Sequence, residues 1–397
     1  MTHPNHPELA TVEPTLQALD LQLLRRRHSL KWRAFGPEVL AAWVAEMDFP
    51  VADPVSAAVR AALDRGGDLG YAPDAQISGL AQAYVEWTAR EHGLSLDPRD
   101  VVATADVVHG LEAVLATLTA PGDPVVVTTP IYPPFLELVT GSGRRLVEVP
   151  LVADGPRWAL DLDALEAAFV AGARAWLVCS PHNPTGSVPS LGELMSAAEL
   201  AARHGVLVVA DEIHAPLTYP EAQHVPLAGL PVPGLSVVTV TSATKAWNFP
   251  ALTCAVVHTA DPVARQVVAG WPVRHRMAGL LGVDASVAAW RDGGPWLGQV
   301  MGVLDGNRRR LAGLLAEHAP EVRYQVPQAT YLAWLDLRAY GLPAPATFLR
   351  EHGGLAVNEG ADFGRPGQGW VRLNFACSPE MLTDAVTRLG RAITPGG

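Results

Sequence analysis

Thr241-Ser242-Ala243-Thr244-Lys245-Ala246 sets one lysine in a run of small hydroxyl residues directly after the apolar stretch Leu235 to Val240. A lysine just past a strand is ordinarily a solvated surface charge. Two upstream motifs argue against that reading here. Ser180-Pro181-His182-Asn183-Pro184-Thr185-Gly186 follows the apolar run Ala175 to Cys179, and Asp211-Glu212-Ile213-His214 follows Val206 to Ala210. Each motif therefore lies just beyond the carboxyl end of an expected strand. In open α/β sheets that edge is where ligands bind, so an amide, a carboxylate and an amine from three strands can converge on one small molecule.

Around these motifs the chain alternates strand and helix patterns: Pro124 to Thr128, Arg145 to Pro150, Leu162 to Phe169, Ala175 to Cys179, Leu191 to His204, Val206 to Ala210 and Ser236 to Val240. That alternation predicts an α/β fold with a large, mostly parallel sheet of seven-stranded type, covered by helices on both faces. Upstream, helices are expected over Pro54 to Asp64, Gly79 to His92 and Gly110 to Leu118, with a short extended segment from Glu38 to Phe49. Beyond about residue 290 the pattern changes to a long helix from Pro295 to His318, a strand Tyr331 to Leu337, a helix Ala346 to His352 and a strand Gly369 to Phe375. The expected organisation is an N-terminal arm (1–19), an N-terminal part of a smaller α/β domain (20–50), a large ligand-binding domain (51–290) and the C-terminal remainder of the small domain (291–397).

The 397 residues carry a formal net charge of −11. Such an acidic balance argues against a nucleic-acid or anionic-membrane surface and favours a small metabolite as partner. Cys179, Cys254 and Cys377 lie far apart and form no metal-like spacing, so disulfides and structural zinc are not expected. No apolar run approaches the roughly 20 residues that span a bilayer. Met1 to Glu13 lacks a basic start followed by an apolar core, so the expected location is cytoplasmic.

A lysine amine, a partner for a pyridinium nitrogen and a donor to a ring hydroxyl oxygen are what pyridoxal 5'-phosphate requires, and this chain supplies them in order. Lys245 is the expected Schiff-base amine, Asp211 the partner of the ring nitrogen and Asn183 the donor to the ring oxygen. Taken singly, Asp211 could cap a helix and Asn183 could be a turn residue. Three such accidents of the right type in the right order are improbable.

Further segments carry a resemblance over nearly the whole chain: Lys31-Trp32, Trp43-Val44-Ala45-Glu46-Met47-Asp48-Phe49, Gly70-Tyr71, Ile131-Tyr132-Pro133-Pro134-Phe135, Ala329-Thr330-Tyr331-Leu332 and Arg372-Leu373-Asn374. With them the sequence resembles fold-type-I pyridoxal-phosphate enzymes of the aspartate aminotransferase superfamily. Ser-Pro-His-Asn-Pro and Asp-Glu-Ile-His match its branch of cystathionine β-lyases and related carbon–sulfur lyases. Ordinary aminotransferases usually have a different residue before the asparagine and a tyrosine three after the aspartate.

The resemblance implies further roles. Tyr132 would stack on the cofactor ring and His214 would lie near the ring oxygen. Ser242, Thr244 and the backbone N–H groups of Val107 and Val108 would hold the phosphate, the helix end favouring a dianion. Asp106 departs from the family's glycine there, and its carboxylate is tolerable only if it turns away to cap the helix. Tyr71 would reach across a homodimer interface into the neighbouring site, and Arg372 would grip the substrate α-carboxylate with its planar fork of donors.

Three functional readings follow. The leading one is elimination of L-cystathionine to homocysteine, pyruvate and ammonia. The second is an aminotransferase, because Ala246-Trp247-Asn248-Phe249-Pro250 departs from the smaller residues usual after the lysine. The third is a pyridoxal-phosphate-binding protein with a regulatory protein partner, as one member of the branch implies.

Overall fold

The computed structural model describes residues 16, 19–66, 69–155 and 157–394, so nearly all of the expected N-terminal arm and the Met1 to Glu13 stretch lie outside the described residues. The central sheet has seven strands. They are β1 (Val101–Thr104), β2 (Pro124–Thr129), β3 (Arg145–Pro150), β4 (Ala175–Cys179), β5 (Leu207–Asp211), β6 (Val237–Thr241) and β7 (Ala255–His258), in the spatial order β1-β7-β6-β5-β4-β2-β3. All neighbours are parallel except β7, which runs antiparallel to both β1 and β6. The interior strands are apolar without alternation because both faces are covered. Val125, Val126, Val127, Trp176, Leu177, Val208 and Val209 are all fully buried.

Strands β1 and β7 escape the sequence reading. Val-Val-Ala-Thr and Ala-Val-Val-His are four residues each, too short for a periodic signal, and their antiparallel pairing depends on long-range contact. Helix starts also differ from expectation. The helix read from Gly79 begins at Asp74, with Pro73 at its cap position and Gly93 closing it in the left-handed conformation at φ 65°. The amphipathic helix Pro379–Ile393 was not anticipated; it is capped by Ser378 and buries Met381, Leu382, Val386 and Leu389.

A second sheet contains β8 (Arg323–Tyr324), β9 (Leu332–Asp336), β10 (Asn358–Glu359) and β11 (Trp370–Asn374), all antiparallel in the order β8-β9-β11-β10. Leu40–Ala41 pairs in parallel with Leu355–Ala356, which ties the N-terminal segment to the C-terminal part of the chain. Only those two residues of the stretch expected to be extended, Glu38 to Phe49, form a strand. The remainder is irregular backbone held by side chains. Asn374 Nδ2 donates to the carbonyls of Val44 (2.6 Å) and Glu46 (2.7 Å), and Asn248 Nδ2 donates to those of Met47 (3.1 Å) and Phe49 (2.8 Å). Among the described residues no helix is long and apolar enough to cross a membrane, and no three histidine, cysteine or acidic side chains are placed to hold a metal.

Candidate active site

Register brings the three motifs to one edge. Cys179 lies opposite Asp211, and Asp211 lies opposite Val240, so β4, β5 and β6 end together. The ladder continues into the motifs: Ser180 N–H donates to the Asp211 carbonyl (2.9 Å) and Glu212 N–H to that of Val240 (3.1 Å). The helix Val107–Leu118 begins at the same edge. A Cβ on Gly110 would lie 2.8 Å from Val240 Cγ1, so this glycine permits the helix to cross β6 closely.

Lys245 Nζ donates to the Ala45 carbonyl at 2.9 Å, and Tyr331 Oη donates to the same oxygen at 3.0 Å. Tyr331 is presented by Thr330, a β-branched residue in the left-handed region at φ 71°, a conformation costing about 1–3 kcal/mol. The backbone there is held by Thr330 N–H to the Leu217 carbonyl (2.9 Å) and by Tyr219 Oη to the Thr330 carbonyl (2.7 Å). Burial lowers the Lys245 amine to about 8, with the Arg372 charge acting in the same direction. A neutral amine, able to accept a proton, is thereby accessible near physiological pH.

Asp211 is buried, and its Oδ1 accepts from Ile213 N–H at 3.0 Å. Its Oδ2 meets only the Cys179 thiol, at 3.9 Å. Burial raises its carboxyl to about 7, the Ile213 N–H opposing. Glu212, next in sequence, turns elsewhere: it accepts from Leu227 N–H (2.9 Å) and faces His224 Nε2 at 3.6 Å. Asn183 Oδ1 accepts from Arg372 Nη1 (3.1 Å), which leaves its amide N–H₂ available as a donor. His182 Nδ1 pairs with Thr185 Oγ1 at 2.9 Å and braces the loop. His214 is buried edge-on to Tyr331, 6.4 Å between ring centres; burial, followed by the Lys245 and Arg372 charges, lowers it to about 3 and keeps it neutral.

Arg372 lies on β11, 3% exposed, yet its Nη1 meets Asn183 and its Nη2 meets the Trp43 carbonyl (3.0 Å) and Asn358 Oδ1 (2.7 Å). The Phe363 ring lies 5.0 Å from its Cζ. Tyr132 caps the helix Pro133–Gly141 and is half-buried; burial raises its phenol, Arg372 opposes, and Asp211 and Asp106 reinforce. Lys245, Asp211, Asn183, His214, Tyr132 and Arg372 thus share one cleft.

The phosphate-type donors are less uniform. Asp106 caps the helix Val107–Leu118, its Oδ1 accepting from His109 N–H at 2.8 Å, so the carboxylate does turn to the helix end as a tolerable acid there must. Val107 and Val108 N–H are left as the first unsatisfied donors of the helix. Ser242 Oγ lies 2.6 Å from the Cys254 carbonyl and 3.0 Å from Thr244 Oγ1, so the serine hydroxyl already braces the turn. Tyr71 stands apart at 91% exposed, with no hydrogen bond or ring contact to the other site residues. Sequence reasoning missed Asn248, Asn358 and the Ala45 carbonyl, and none of the three has a local signal.

The model of the aminotransferase class I and II family matches residues 44–389. The chain belongs to this family. A Mycobacterium leprae protein provisionally named cystathionine β-lyase is 39% identical across 95% of this chain and 98% of its own length. The Corynebacterium glutamicum cystathionine β-lyase is 34% identical across 94% and 99%. Among solved structures, a Corynebacterium diphtheriae protein provisionally described as a PLP-dependent β-cystathionase superposes with a TM-score of 0.89 at 35% identity, covering 95% of this chain and 98% of that one. The family cofactor, and that of this chain, is pyridoxal 5'-phosphate.

The donor set fits that molecule. A desolvated amine and a buried carboxyl share the cleft without forming an ion pair with each other, and His214 Nδ1 and Arg372 Nε are buried without a partner. Such orphaned groups call for a ligand to complete them.

Proposed function

We propose that this chain is a carbon–sulfur β-lyase that converts L-cystathionine to homocysteine, pyruvate and ammonia. The observation that carries the reading is His214, buried within reach of the Lys245 and Arg372 charges and three residues past Asp211, where aminotransferases of the superfamily carry tyrosine. The relatives named cystathionine β-lyase support it.

In this reading Lys245 would hold the cofactor covalently and, with its amine freed, would take the proton from the substrate α-carbon. Its lowered proton affinity suits it to that work near neutral pH. Arg372 grips the α-carboxylate and so orients the α-hydrogen toward the amine. Asp211 would keep the ring nitrogen protonated, the Asn183 amide would donate to the ring oxygen, and Tyr132 would pack against the ring. His214, held neutral, lies beside them without adding charge. Val107 and Val108 N–H, with the Thr244 hydroxyl, would hold the phosphate, and Ser242 would join them by turning its hydrogen away from the Cys254 carbonyl. When bound, pyridoxal phosphate supplies an electron-withdrawing ring that takes up the electron pair left at the α-carbon. The sulfur substituent would then leave the β-carbon with the bonding electron pair as a thiolate, the protonated Lys245 amine would return its proton to give homocysteine, and water would hydrolyse the remaining three-carbon enamine to pyruvate and ammonia.

Purified protein with cofactor and L-cystathionine, without any keto acid, is expected to release pyruvate and free thiol in equal amounts over many turnovers. Product formation only after a keto acid is added would instead identify an aminotransferase.

We further infer that the active unit is a homodimer in which Tyr71 serves the neighbouring subunit's site. Its 91% exposure, with Leu69 two residues before it at 55%, leaves this segment's apolar side chains open to a partner. The segment bearing Tyr71 is anchored at both ends on Asp284, by Arg65 (2.5 Å) and by Gln76. Mixed and re-equilibrated Lys245→Ala and Tyr71→Ala subunits should regain activity that neither variant has alone. No recovery, or a protein that sediments as a monomer while fully active, refutes the shared site.

A further inference from the structure

Arg372 has five N–H donors, and three of them are already committed. Nη1 uses one hydrogen on Asn183 Oδ1 (3.1 Å), while Nη2 uses both of its hydrogens, on the Trp43 carbonyl (3.0 Å) and on Asn358 Oδ1 (2.7 Å). Nε is buried and unpartnered. A carboxylate gripped by a guanidinium takes two adjacent donors, either Nη1 with Nη2 or Nε with Nη2. Both edges include Nη2. As the side chains stand, neither edge is whole, so a two-bond grip requires Nη2 to release one acceptor.

The two acceptors differ in what holds them. The Trp43 carbonyl is backbone, fixed on either side: the Ala42 carbonyl accepts from Asn374 N–H (2.8 Å) and the Val44 carbonyl from Asn374 Nδ2 (2.6 Å). Asn358 sits on the two-residue strand β10, directly across from Arg372, and is half-buried. Its Oδ1 moves with a side-chain torsion and needs no change in the backbone.

We propose that Asn358 is a positioning residue and placeholder: it satisfies Arg372 Nη2 until the substrate α-carboxylate arrives, then yields that hydrogen to it. The inference rests on the reading of Arg372 as the carboxylate grip. Asn358 thereby tunes affinity for the α-carboxylate. Holding the buried guanidinium satisfied in the free site lowers that affinity and keeps Arg372 in place between turnovers.

The test uses the cofactor-loaded protein and two probes, L-alanine, which has an α-carboxylate and no β-leaving group, and L-alaninamide, whose carboxamide carries no negative charge. Binding is read from the change in the cofactor's visible absorbance. Asn358→Leu removes the competing acceptor and should tighten L-alanine by ~3–10-fold. Asn358→Asp supplies a permanent carboxylate to Nη2 and should weaken L-alanine by ~10–100-fold. L-alaninamide should respond to neither change. Because both variants alter one side chain on a short edge strand, their melting temperatures report whether the fold is intact.

Unchanged L-alanine binding in both Asn358 variants, together with its loss in Arg372→Leu, overturns the placeholder while leaving the carboxylate grip standing. Weaker binding in Asn358→Leu also overturns it, since Asn358 would then be a fixed brace for the guanidinium. Unchanged binding in Arg372→Leu refutes the carboxylate grip itself.

Discussion

Lys245→Ala should yield a folded protein that cannot retain the visible absorbance of covalently held cofactor and whose turnover falls by ~10³-fold or more. The size of the effect follows from the two duties proposed for the lysine, as covalent anchor and as base. Nothing else near the cleft can substitute. His214 is held neutral at about 3 by burial and would be a weak base, and Tyr331 is already a donor to the Ala45 carbonyl. Loss of Lys245 leaves that carbonyl with Tyr331 as a donor, so the Trp43–Phe49 segment, tied by Asn374 and Asn248, keeps its position. Absorbance and turnover measured on one preparation decide the matter, and turnover retained in the variant removes Lys245 from the mechanism.

Asp211→Asn should do two opposite things. Turnover should fall by about 10²–10³-fold, because a neutral amide cannot hold a proton on the ring nitrogen by charge. The cofactor-free variant, however, should be more stable than the cofactor-free parent above neutral pH. In the folded chain the carboxyl is raised from 3.8 to about 7, chiefly by burial. A raised folded value means the native state binds the proton more tightly than the unfolded one. Stability is therefore full below about 4, declines as pH rises toward 7, and stays reduced above it. Three units correspond to roughly 4 kcal/mol at most. Asparagine removes the titration and keeps an oxygen to accept from Ile213 N–H. Melting curves of both cofactor-free proteins at pH 5 and pH 8 test this: the variant's advantage should be larger at pH 8. Equal differences at both pH values would mean that Asp211 is not a desolvated carboxylate.

This balance describes a site built for a ligand. Asp211, Lys245 and Arg372 are all displaced from their ordinary ranges first by burial, and no ion pair joins the acid to the amine. The folded chain carries that cost, and cofactor and substrate relieve it on binding.

Legibility in the sequence varied with the range of the interaction. Asn183, Asp211 and Lys245 were readable because each directly follows an apolar run, and strands packed on both faces announce themselves as such runs. The resemblance makes Asp106 a problem, an acid at a helix start proposed to bind an anion, and the structure answers it with the cap to His109 N–H. Strands β1 and β7 were not readable, since four residues give no period and antiparallel pairing is a long-range choice. The resemblance makes Ser242 a phosphate donor, whereas in the fold its hydroxyl donates to the Cys254 carbonyl twelve residues on.

Side-chain type and strand periodicity are local properties of the chain, and they suffice to read the chemical set and the edge of the sheet where it collects. How the set is held depends on contacts between residues far apart in the chain. Arg372 reaches the Trp43 carbonyl across 329 residues and Asn183 across 189, and Tyr331 meets the Ala45 carbonyl across 286. Those partners are chosen by how the second sheet packs against the Trp43–Phe49 segment. No local pattern encodes such a choice, since a backbone carbonyl carries no residue type and an asparagine such as Asn358 becomes informative only when the fold sets it across from Arg372.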